Sequence, residues 1–176
     1  MFKFHEITSS KNDEYYTPKY AVDPILEFVR PNSLVWCPFD TEDSFFVKRL
    51  KEEGHNVINT HIHNGEDFFE LDIECDYIIS NPPYSVKGEV LQRLFDLKKP
   101  FAMLLGVVGI FESQKRFEMF RDNEFEVLYL NRRVDFFQDF EEVKPSKNPP
   151  FSSAYFCHKM LDEQIMFREI DKKNIK

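Results

Sequence analysis

The chain has 176 residues, 42% of them hydrophobic and 31% charged, with a formal net charge of −8. That length fits one domain whose core needs no disulfide or metal staple, and no apolar run approaches the roughly 20 residues that span a bilayer. The acidic balance excludes the broad basic surface that neutralises a nucleic-acid backbone, so any such contact must come from a local cluster. Cys37, Cys75 and Cys157 form no CxxC pair, and Met1–Glu6 lacks the apolar core of a signal peptide. A cytoplasmic protein with reduced thiols is expected, spanning residues 1–176 as a single unit without repeats or linkers.

Residues 1–14 are polar and read as a lead-in along the surface. Asp23-Pro24 then opens a helical stretch, Ile25-Leu26-Glu27-Phe28-Val29, which Arg30-Pro31-Asn32 ends. Leu34-Val35-Trp36-Cys37 is a short strand closed by Pro38. Asp43-Ser44 caps a helix from Phe45 to Glu53, stopped by Gly54. Asn56 to Thr60 is the next strand, followed by the loop His63-Asn64-Gly65-Glu66 and then Asp67-Phe68-Phe69. A strand from Asp76 to Ser80 comes next. Val90, Leu91, Leu94 and Phe95 recur at helical spacing before Pro100. Phe101 to Leu105 reads as a fully buried strand, Phe117 and Phe120 belong to another helix, and Glu124 to Leu130 alternates as a strand. Ser153 to Cys157 is the last strand expected.

Strands alternating with helices imply an α/β fold: a mostly parallel sheet covered on both faces, with the late strands forming an antiparallel edge. Ligands of such sheets sit beyond the carboxyl ends of the strands. Asn81 and the segments after Cys37 and Thr60 all fall on that rim.

Asn81-Pro82-Pro83-Tyr84, directly behind Tyr77-Ile78-Ile79-Ser80, carries the most chemistry. The Asn81 side-chain carbonyl and the Pro82 carbonyl can both accept from one exocyclic NH2 group. The prolines hold those acceptors still by fixing φ and restricting the residue before them. The Tyr84 ring offers a face on which a planar base or amide can stack. The set is a clamp for a nitrogen to be alkylated. Read blandly, the same four residues are a turn; their place behind an apolar strand favours the clamp.

On these residues the chain resembles the class I S-adenosylmethionine-dependent amino-methyltransferases, especially small adenine-N6 DNA methyltransferase-like proteins of phages and bacteria. Asp13-Glu14-Tyr15-Tyr16-Thr17-Pro18 is similar to their N-terminal cofactor-side segment, and Trp36-Cys37-Pro38-Phe39 stands where their first strand ends. Gly65-Glu66-Asp67-Phe68-Phe69 is similar to the segment whose acid contacts the cofactor's adenine, Asn81-Pro82-Pro83-Tyr84 matches the catalytic tetrad, and Pro150-Phe151-Ser152-Ser153 resembles a late segment. The resemblance implies a Rossmann-like fold with S-adenosylmethionine as cofactor. It places Tyr15, Tyr16, Thr17, Pro38, Asp40, Asp43, His61 and Asp67 around that cofactor and makes Asn81, Pro82 and Tyr84 catalytic. It implies DNA as the partner, although the same tetrad serves enzymes acting on RNA bases and on protein glutamine.

The chain departs from that pattern twice. Where the family has a Gly-x-Gly loop, Asp40-Thr41-Glu42-Asp43-Ser44 contains no glycine, and where it has a ribose-binding acid stands His61. These departures sustain a second reading, a catalytically degenerate methyltransferase fold acting as a phage-encoded binding or inhibitor protein. No separate target-recognition domain is expected within these residues. Substrate contacts would fall to Tyr84, Lys87, Arg132, Arg133 and Lys147, to the loop from Phe136 to Asn148, or to a protein partner. His61 and His63 lack an evident third ligand, so no metal is expected.

Overall fold

A computed structural model describes residues 15–138 and 151–175. The expected lead-in over residues 1–14, the loop beyond Gln138, Lys147 and Pro150 lie outside the described residues. Four α-helices, α1 (Lys19–Leu26), α2 (Phe45–Glu52), α3 (Lys87–Leu97) and α4 (Gln114–Asp122), alternate with seven strands. The strands are β1 (Leu34–Cys37), β2 (Asn56–Asn59), β3 (Tyr77–Ser80), β4 (Phe101–Gly106), β5 (Glu126–Leu130), β6 (Ser153–His158) and β7 (Ile165–Arg168).

The sheet runs in the order β2-β1-β3-β4-β6-β5-β7. Its first four strands are parallel neighbours, β6 runs antiparallel to both β4 and β5, and β7 pairs parallel with β5. The α/β fold is therefore the one expected, mostly parallel with antiparallel pairing toward one edge. β3, β4 and β6 are buried along their whole length, which is why they read as continuous apolar runs. One face packs Val35, Ile79, Leu104 and Tyr155 with side chains of α1 and α2; the other packs Trp36, Ile78, Met103 and Phe156 with those of α3 and α4. Gly54 at φ 85° continues the chain past α2 in a left-handed conformation.

Two expectations need correction. α1 begins at Lys19 behind Pro18, so Pro24 lies within its last turn and does not open it. Burial of Tyr20, Ala21, Val22, Pro24 and Ile25 holds the helix through the hydrogen bond that proline cannot donate. Ser153–His158 is not the last strand, because β7 follows it with an alternating pattern of burial that exposes Ile165 and Phe167. Among the described residues no helix is long and apolar enough to cross a membrane.

Candidate active site

The strand order reverses at β1, with β2 on one side of it and β3 on the other, so the loops leaving β1 and β3 diverge and open a crevice. Pro38–Phe45 leave β1, His61–His63 and Glu66 follow β2, Asn81–Pro83 leave β3, and Tyr15–Thr17 cross above them. An antiparallel bridge holds that crossing segment: Tyr16 N–H donates to Phe137 O and Phe137 N–H to Tyr16 O, both at 2.9 Å. Counted out to its open mouth, solvent included, the cleft measures about 800 Å3.

Asp40 forms the floor. Ser44 Oγ donates to one of its carboxylate oxygens, and Ser80 Oγ donates to the other at 2.5 Å. Ser44 is also the N-cap of α2 and accepts from Phe46 N–H at 3.2 Å. Asp40 thereby ties the β1 loop and the start of α2 to the end of β3, one residue before Asn81. Burial pushes its carboxyl up to about 6, against the two serine hydrogen bonds that lower it. At neutral pH the cleft therefore carries a buried negative charge.

Asn81 stands at the mouth. Its Nδ2 donates to Tyr15 O at 2.8 Å, which fixes the amide's orientation and directs Oδ1 the other way. Oδ1 is buried and has no partner among the described residues. A buried acceptor in that condition costs about 1–3 kcal/mol, so it marks a place built for a donor. Aromatic rings surround it. Tyr84 stacks on Tyr15 with centroids 5.4 Å apart and meets Phe151 edge-on at 4.9 Å, with Phe136 at 6.3 Å. Gly106, ending β4, lies against this group: a Cβ there would stand 3.5 Å from Phe151 and 3.6 Å from Tyr84.

Of the residues expected around a cofactor, Tyr15, Tyr16, Thr17, Pro38, Asp40 and His61 line the cleft together with Asn81 and Pro82. Thr17 is 6% exposed, and its Oγ1 is a second buried polar atom with no partner among the described residues. Asp43 and Asp67 do not line it. Asp43 pairs with Lys48 at 3.4 Å on the surface, and Asp67 Oδ1 accepts from Phe69 N–H at 2.9 Å, closing its own turn. Their neighbours take the inward positions. Glu66 lines the cleft and accepts from His61 N–H at 3.2 Å, while Phe68 packs on Phe39 at 4.9 Å. His61 Nδ1 accepts from His63 N–H at 3.2 Å, which leaves Nε2 as the protonated nitrogen of the neutral ring.

Tyr84 and Lys87 lie beyond the cleft on the β3 side, and Arg132 and Arg133 are exposed. Sequence reasoning missed Glu66 and Ser80. Glu66 adjoins the quoted segment, but only the turn geometry shows which of two adjacent acids faces inward. Ser80 reads as the last residue of a strand until β1 and β3 are placed side by side.

The mixed α/β sheet, with its crevice at the β1/β3 reversal, is a fold of the class I methyltransferase-like kind. No family model matches the sequence, and no curated protein sequence matches it. Among solved structures, the chain is similar to a modification subunit of a type I restriction enzyme from Vibrio vulnificus YJ016. The TM-score is 0.57 at 11% identity, over 94% of this chain and 48% of that one. It is also similar to a type I restriction-modification system methyltransferase subunit from Streptococcus thermophilus, with a TM-score of 0.55 at 11% identity, over 93% and 49%. The chain thus spans about half the length of these structural neighbours.

Proposed function

We propose that this protein transfers a methyl group from S-adenosylmethionine to the exocyclic N6 amine of adenine in DNA. The observation that carries the reading is Asn81 Oδ1, buried, without a partner and held in that state by Nδ2. Adenine N6 is a weak nucleophile because its lone pair is delocalised into the ring. An N6–H donated to Asn81 Oδ1, and the other to the Pro82 carbonyl, would localise that lone pair; as the C–N bond forms the methyl–sulfur bond breaks to leave the neutral thioether, and one N6 proton is lost to solvent. Tyr84 supplies the stacking face for a base flipped out of the duplex or already single-stranded, with Phe136 and Phe151 walling the slot.

The residues of the cleft fit a methyl donor of this kind. S-adenosylmethionine supplies a methyl group activated by a positively charged sulfonium. Asp40 offers the complementary buried charge, Thr17 Oγ1 an unused hydroxyl, Glu66 an acid for ribose hydroxyls where His61 is not one, and Phe39 and Phe68 an apolar wall. The two structural neighbours are named as modification or methyltransferase subunits, which agrees with this reading.

Calorimetric titration with S-adenosylmethionine tests the reading. Saturable binding that weakens about tenfold in Thr17→Val, the loss of roughly one hydrogen bond, is the expected result. No heat at millimolar ligand would overturn it and favour the degenerate binding protein, for which the glycine-free Asp40–Ser44 loop speaks. The open cleft and the unpaired clamp favour the enzyme.

A further inference from the structure

The rim beyond Tyr84 carries a pair of cations that the cleft does not use. α3 starts at Lys87, three residues past Tyr84, and its N-cap Val86 offers no side-chain hydrogen bond to the first turn. Lys87 Nζ donates to Val108 O at 2.5 Å, and Arg116 of α4 donates through Nη2 to Gly109 O at 2.7 Å. The two meet beneath the 107–113 loop that follows β4. Gly88 lets the guanidinium lie directly on α3, since a Cβ there would stand 3.4 Å from Arg116 Nη1. Arg116 Nε is buried and has no partner among the described residues.

These like charges are poorly compensated. Burial and then the Arg116 charge hold the Lys87 ammonium below its usual range, against the pull of Glu112. Glu112 is the one carboxylate that acts on Lys87. Elsewhere in this acidic chain Arg49, Lys51, Lys99, Arg168 and Lys172 sit against carboxylates at 2.6–3.0 Å. The pair also adjoins the ring group around Tyr84. Its covering loop begins right after Gly106, which lies against Tyr84 and Phe151, and Val107 N–H donates to Ser152 O at 2.9 Å. Val108, 62% exposed, forms the apolar tip of that loop.

We infer that Lys87 and Arg116 form a phosphate seat for a phosphodiester of the nucleic-acid strand beside the nucleotide held at Asn81. The inference rests on reading the chain as a base methyltransferase. A phosphate there relieves the repulsion between the two cations and accepts from both. A seat so close to the clamp fixes the register of the strand and leaves sequence to other contacts. It also explains how a chain of net charge −8 can hold a polyanion without a wide basic face.

The test is anisotropy of a short labelled single strand containing adenine, as DNA and as RNA of the same sequence, titrated with the full chain across a range of salt. Lys87→Gln and Arg116→Gln remove charge but keep donors for the two loop carbonyls. The double variant is expected to bind about tenfold more weakly and to lose about 1.4 from the log–log salt slope, two contacts at roughly 0.7 each. Its affinity for S-adenosylmethionine should stay unchanged. Lys115→Gln, at an exposed neighbour, should move the slope by less than half as much. Loss of slope with either polymer supports the seat, and the tighter arm identifies the polymer. An unmoved slope in the double variant, or an equal effect from Lys115→Gln, overturns it. So does a wild-type chain that binds the methyl donor and neither strand. Failure of the methyltransferase reading shows separately, as absent binding of the donor.

Discussion

Replacing Asp40 by Asn removes a charge from the floor of the cleft and keeps a side chain of the same shape. Burial raises the Asp40 carboxyl from 3.8 to about 6. Between pH 4 and 6 the folded chain therefore keeps a proton that the unfolded chain has released. The unfolded state binds fewer protons there, so stability falls as pH rises through that window and levels off above it. A shift of about 2 units at roughly 1.4 kcal/mol per unit is about 3 kcal/mol in full, and because the unfolded carboxyl is already more than half ionised at pH 4, about 2.4 kcal/mol of it falls between pH 4 and 7.5. Asp40→Asn has no such term, and its amide can still accept from one serine and donate to the other. Urea unfolding of both chains at pH 4, 6 and 7.5 reads the difference directly. Carboxylates that an Arg partner holds low, such as Glu27 beside Arg168, titrate in both chains and cancel. The variant is expected to gain about 2.4 kcal/mol on the wild type between the two ends. A difference that stays constant with pH would refute the buried, ionised Asp40 and with it the negative floor assigned to the cleft.

Other outcomes follow from the same geometry. Asn81→Ala should cut labelled-methyl transfer by about 10²–10³-fold and leave affinity for the methyl donor intact, as measured by calorimetry. Tyr84→Ala should lose roughly tenfold or more in affinity for an adenine-containing strand, the value of one stacking face, whereas Tyr84→Phe should keep it, because the hydroxyl lies 3.5 Å from Ser153 Oγ. Thr60→Val leaves the buried Trp36 indole N–H without the acceptor it meets at 2.9 Å; a loss of about 1–3 kcal/mol in urea unfolding is expected. Leu94→Ala, at a side chain with no exposure, should cost about 2–5 kcal/mol by the same assay.

The strands that position the site were legible because β3 and β4 are buried on both faces and so are written as unbroken apolar runs. Asn81 was legible because two prolines and an aromatic behind a strand leave few conformations. Pro24 misled the placement of α1, since a proline is a good first-turn residue and nothing local shows that Tyr20 and Val22 find a core. β7 was hidden for the opposite reason: it is short, half exposed, and depends on pairing with β5 for its existence. The rest of the cleft was only partly readable. Thr17, Asp40 and His61 line it, but Asp43 and Asp67 turn to local partners and Glu66 takes the inward place. Adjacent acids in a loop carry no periodicity that says which one points in. The Asp40–Ser80 link joins residues 40 apart in sequence, and only the β1/β3 pairing creates it.

The most direct measurement is transfer of a labelled methyl group from S-adenosylmethionine to an adenine-containing DNA strand, followed by digestion and identification of the modified nucleoside. Label on N6-methyladenine with the wild-type chain, and its loss in Asn81→Ala at unchanged donor affinity, is the result this account predicts. Transfer that persists in Asn81→Ala, or a wild-type chain that binds both ligands and labels no amine, would contradict it.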